Sequence, residues 1–197
     1  AQVKSALGDY DFNKIRAKVM DDFFTQKIQE AKTPEEIAAL RDEMKKFLNS
    51  EDQAEKKVLD GLKRKIETQE FKLKIQESLK DGVGKDVVIK DFEDHIAKHG
   101  SVRDVLEAGL FMDSLKLNEK QATGENSLES DLQKMLSDKL KEAIFEEGRA
   151  IKKDSNGETD RHPLLRARSI KSNAAKFLPD DLLNEVRDAI TMQEIPE

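Results

Sequence analysis

Thr33-Pro34-Glu35-Glu36 constrains this chain more than any other stretch, because it reads as the first turn of an α-helix. Threonine is a favoured N-cap. Proline suits the first helical position, where its missing N–H costs nothing, and a glutamate three residues after the cap closes a capping box. Behind it Ile37, Leu40, Met44, Phe47 and Leu48 recur at three- and four-residue steps, which gives the helix one apolar face. Ser50-Glu51-Asp52-Gln53 reads as a second capping box and predicts a charged helix to about Lys80. A continuous helix of about 30 residues spans about 45 Å. Its stripe through Val58, Leu62 and Ile66 drifts towards Phe71, Ile75 and Leu79, which predicts a curved or two-faced helix rather than a simple coiled coil.

The same punctuation continues along the chain. A helix is predicted from about Asp11 to Ala31, carrying Phe12, Ile15, Val19, Phe23 and Ile28. Asp81-Gly82-Val83-Gly84 breaks the pattern, a helix follows from about Asp86 to Lys98, and Gly100-Ser101 ends it and caps the next, to about Leu115. Residues 118–127 are polar and read as a loop, after which Asn126 or Ser127 caps a long helix ending near Lys153. Two more helices are expected, Pro163 to Phe177 and Asp180 to about Met192. Charged residues make up 39% of the chain and apolar ones 37%, a balance that fits either disorder or long helices that bury one stripe and solvate the rest. The capped periodicity decides for helices. The fold class expected is all-α, an irregular bundle of about seven or eight helices, built as one domain over 1–197 or as subdomains 1–117 and 126–197 joined by the loop 118–125. Phe24, Ile28, Thr33, Ile37 and Met44 align with Phe92, Ile96, Ser101, Val105 and Met112 at an offset of 68 residues, a candidate repeat of helix, capped turn and helix.

Several constellations recommend themselves as sites and then fail on a diagnostic residue. Asp91, His95 and His99 share one helical face at four-residue steps, but the metalloprotease glutamate is missing from His95-Ile96-Ala97-Lys98-His99. Asp154-Ser155-Asn156-Gly157-Glu158-Thr159-Asp160 alternates oxygen ligands like a calcium loop. Thr159 stands where the obligatory glycine belongs, and Leu165 where the bidentate glutamate belongs. Gly82-Val83-Gly84-Lys85 lacks the frame of a phosphate-binding loop, with Asp86 in the Ser/Thr place. With three histidines and no cysteine, no nucleophile–base pair assembles, so neither a catalytic site, nor a metal, nor a cofactor is expected.

One block departs from the acidic background. Residues 161–176 hold Arg161, Arg166, Arg168, Lys171 and Lys176 with no acid, a local +5 in a chain of net charge −6. Leu164, Ala167, Ile170, Ala174, Phe177 and Leu178 share a face of the same segment. Such a set of cations suits phosphate oxygens, and this makes the block a candidate ligand-binding site for a phosphoinositide or a nucleotide. The competing reading is an amphipathic core helix whose charges meet the protein's own acids. The overall negative charge argues against DNA as a partner. No apolar run approaches the about 20 residues of a membrane span, and the absence of cysteine fits the cytoplasm. Because the chain starts at Ala1 rather than Met, it is expected to be a piece of a larger protein.

In texture, Lys32-Thr33-Pro34-Glu35-Glu36-Ile37 through Lys45-Lys46-Phe47-Leu48-Asn49 resembles the helical regions of large secreted bacterial effectors, over about residues 20–115. The resemblance implies a virulence-associated module acting in a host cell's cytosol, where it binds a host protein, a phosphoinositide or a nucleotide. It transfers no site residue. The function expected is a non-catalytic interaction module with a protein partner, with an anionic-ligand binder as the alternative. A hydrolase or transferase assembled from scattered side chains forms a third class.

Overall fold

In the computed structural model the chain is all-α, with eight helices and no strand among the described residues. Residues 2–48, 51–115, 117, 127–154 and 163–194 are described, with side chains over 12–48, 51–115, 117, 127–147 and 169–192. The helices are α1 (Gln2–Glu30), α2 (Pro34–Phe47), α3 (Gln53–Lys80), α4 (Lys85–Ala97), α5 (Val102–Ser114), α6 (Leu128–Asp154), α7 (Pro163–Ala174) and α8 (Asp180–Glu194). They form two compact units, Ala1–Asp81 and Gly82–Glu197. The division falls at the glycine break. The segment 118–125, expected as a joint between subdomains, lies outside the described residues, and the helices flanking it, α5 and α6, pack on one another.

The first unit is an up-down-up arrangement of α1, α2 and α3. Asn13 donates to Asp52 at 3.1 Å and Gln69 donates to the Ala31 carbonyl at 2.9 Å, so α1 and α3 run parallel. α2 returns antiparallel to both, with Lys27 on Glu43 at 3.0 Å and Arg41 on Glu70 at 2.8 Å. The α2 cap forms as expected at Thr33, whose hydroxyl accepts from the Glu36 N–H at 3.2 Å. The reciprocal bond differs, because Glu36 takes the N–H of Lys32 at 2.6 Å, one residue before the cap. The α3 cap is Asp52 rather than Ser50. One Asp52 oxygen accepts from both Ala54 and Glu55 N–H groups, and a carboxylate also answers the positive end of the helix dipole.

The core of this unit joins Phe24, Ile28 and Ala31 to Ile37, Leu40, Met44 and Leu48 and to Leu62 and Ile66. Full burial of each large side chain contributes about 1.5–3 kcal/mol. α1 starts well before Asp11, and of the five apolar residues expected on it only Ile28 is in the core. Ile15, Val19 and Phe23 stay about half exposed, because the buried line runs through Ala17, Phe24, Ile28 and Ala31. On α2, Leu48 is buried but Phe47 is exposed. α3 is two-faced, with Leu62 and Ile66 in the core cluster and Phe71 and Ile75 buried outside it.

In the second unit α6 is the central element, in contact with α4, α5 and α8, while α7 packs on α5 and α8. Its buried line runs through Leu128, Leu132, Leu136, Leu140 and Ala143, and Ser127 caps it, accepting from Ser130 N–H at 3.1 Å. Gly100 turns with φ +64°, and Ser101 and Asp104 then close a full capping box on α5. Phe92 stacks on Phe111 with ring centroids 6.1 Å apart. Gly109 of α5 lies against the Phe177 ring so closely that a Cβ there would meet ring carbons at 2.5 Å.

Candidate functional site

Three positions along α1 make the most distinctive surface. Ile15, Val19 and Phe23 are 50, 56 and 46% exposed, and their four-residue spacing aligns them on one face. The line is about 12 Å long at 1.5 Å per residue. It lies well round the helix from the buried line, since Phe24 is fully buried beside Phe23. The Phe23 ring is held in place. Phe24 packs edge-on to it at 5.2 Å, and the Lys27 ammonium sits 4.6 Å from its centroid while pairing with Glu43. Single exposed apolar residues are ordinary, as with Val87, Phe145 and Met192 in the second unit, whereas these three are aligned in one row. The periodicity of α1 conceals it, because two apolar lines run along one helix and either could have been the core.

Below this face a polar clamp joins α1 to the α2–α3 junction. Glu55 is 1% exposed and takes an ion pair from Arg16, whose second nitrogen donates to the Phe47 carbonyl at 2.7 Å. Asn13 reaches the Asp52 cap one turn earlier. A buried glutamate at the third helical position after Asp52 leaves no signature in a sequence this rich in acids.

The basic block is partly visible. Arg161 lies outside the described residues, and so do the side chains of Arg166 and Arg168, although both positions are on α7. Lys171 and Lys176 are exposed, and neither has an ion pair among the described residues. The apolar face of the segment is buried at Ile170, Ala174, Phe177 and Leu178.

The remaining constellations are only partly within the described residues. His99 is exposed beyond the end of α4, and Asp91 and His95 are half-buried on it. Among the described residues no three acids or histidines are grouped to hold a metal ion. Lys85 of the glycine-flanked segment pairs with Asp131 at 2.6 Å, and residues 155–160 of the calcium-like loop lie outside the described residues. Hydrogen bonding to Glu185 raises the Lys141 pKa above the ordinary lysine value, and Glu142 does the same to Lys139. Both lysines are half-buried, and partial burial opposes the rise in each. An open hollow of about 380 Å³ near the C-terminal end of α1 is lined by Gln29, Glu30, Lys32, Gln69, Leu73 and Gln76, without a nucleophile or histidine. No helix among the described residues is long and apolar enough to cross a membrane. No protein-family model matches the chain, and neither a curated protein nor a solved structure matches it.

Proposed function

We propose that the chain is a non-catalytic helical interaction module of the secreted-effector type, which engages a protein of the host cytosol through the outer face of α1. The observation that carries this reading is the aligned row Ile15, Val19 and Phe23. An amphipathic partner helix would lay its apolar side along such a row, reading it at four-residue steps. The test is retention of host cytosolic proteins on immobilised wild type and on Val19→Asp. Proteins retained by the wild type and lost by the variant support the reading, and identical retention contradicts it.

A second reading rests on Lys171 and Lys176, exposed and without an ion pair among the described residues. With Arg161, Arg166 and Arg168 they would hold an anionic headgroup or nucleotide, through contacts that salt weakens. Binding to phosphoinositide vesicles or nucleotides that disappears in Arg166→Glu/Arg168→Glu supports it, and tight binding that survives the double substitution refutes it.

A further inference from the structure

The α1 face is self-complementary, and we infer that it pairs antiparallel with the α1 face of a second copy of this chain. The inference rests on reading that face as a docking surface and concerns what else occupies it.

In an antiparallel pair related by a two-fold axis at Val19, Val19 meets its own copy, while Ile15 and Phe23 meet each other twice. A two-fold axis across antiparallel helices also brings the same flank of each helix together. One flank of the row carries Lys18 and Asp22, each immediately before a row residue and hence on the same side. Both are exposed, and neither has an ion pair among the described residues. In the pair, Lys18 of each copy comes opposite Asp22 of the other, two residues off register, which is within the reach of a lysine. On the opposite flank the cations Arg16 and Lys27 are engaged by Glu55 and Glu43. A parallel pair would set Lys18 and Asp22 against that flank, where the cations Arg16 and Lys27 already have partners. The antiparallel arrangement therefore satisfies both the row and the unpaired charges.

Three half-exposed side chains fall far short of the about 800 Å² per partner in a standard interface, so the pair is weak and forms only when the chain is concentrated. It also competes with any protein partner for the same face.

The chain has no cysteine, which makes single-cysteine probes clean. Sedimentation equilibrium of the full chain should show the average mass climbing from 22.4 kDa towards twice that value as concentration approaches about 1 mM. Val19→Asp should abolish the rise. So should Lys18→Asp, with Lys18→Asp/Asp22→Lys restoring it. Under mild oxidation Val19→Cys should form a disulfide dimer faster than Val87→Cys, which sits on an exposed site of the second unit. A mixture of Ile15→Cys and Phe23→Cys should form mixed dimers in preference to like ones. A wild type that remains monomeric at about 1 mM overturns the inference, and leaves the host-protein reading to its own retention experiment. A dimer unaffected by Val19→Asp, or like pairs dominating the cysteine mixture, overturns it as well.

Discussion

Gly109 is where a single hydrogen atom decides a contact. A methyl group there would overlap the Phe177 ring at 2.5 Å, and both residues are buried, so the ring has little room to retreat. Gly109→Ala should therefore destabilise the chain by about 1–3 kcal/mol, despite alanine's better helix propensity. Pairing it with Phe177→Leu should recover part of the loss, and urea unfolding of the two variants measures the coupling. Arg16 and Glu55 make the opposite kind of contact, a buried carboxylate answered by a half-exposed guanidinium. Arg16→Met should cost about 2–3 kcal/mol, discounted from the fully buried case because the guanidinium reaches solvent. Arg16→Met/Glu55→Leu should cost less than the single substitution, because no charge is then stranded. Neither residue was legible in the sequence as special. A mid-helix glycine signals only close approach of something, and a glutamate among so many carries no mark of burial.

Helices were the most legible level, and the reason is chemical. Caps are local: a threonine or serine hydroxyl accepts the backbone N–H three residues on whatever the tertiary fold, so α2, α5 and α6 begin where their signals stand. Thr33→Ala should cost about 1 kcal/mol, readable as a lowered melting temperature. The α3 cap moved from Ser50 to Asp52 because two suitable residues compete and the carboxylate accepts two N–H groups. Which line of α1 becomes core was not legible, since that choice depends on where α2 and α3 lie. Between α6 and α8, Lys141 is raised in pKa by its hydrogen bond to Glu185, with partial burial opposing it. A lysine whose folded pKa lies above its unfolded value stabilises the fold fully below the unfolded value, and loses that contribution as pH rises through the folded one. The melting-temperature gap between wild type and Lys141→Gln should stay level at neutral pH and close above about pH 10.4.

At the scale of the whole molecule, the all-α class followed from composition and periodicity together: a chain with this much charge can bury an apolar stripe on each helix and solvate the rest, and the three- and four-residue steps select helices over strands. The aligned positions of the candidate repeat play matching parts. Phe24, Ile28, Ile37 and Met44 are buried as are Phe92, Ile96, Val105 and Met112, and Thr33 and Ser101 are both N-caps. The basic block was legible as charge, but its reach was not, because where a long side chain points is set by neighbours distant in sequence. The exposed row on α1 was hidden for a related reason: it is an apolar line that α2 and α3 leave outside the core of their unit. Adjacent residues on α1 test this account most directly. Equilibrium urea unfolding should show Phe24→Ala losing about 3–5 kcal/mol, as for a fully buried ring. Phe23→Ala should lose no more than about 1 kcal/mol, the worth of its edge contact and its lysine. Equal losses at the two positions would place Phe23 in the core, and the outer face of α1 would then not be a free surface at all.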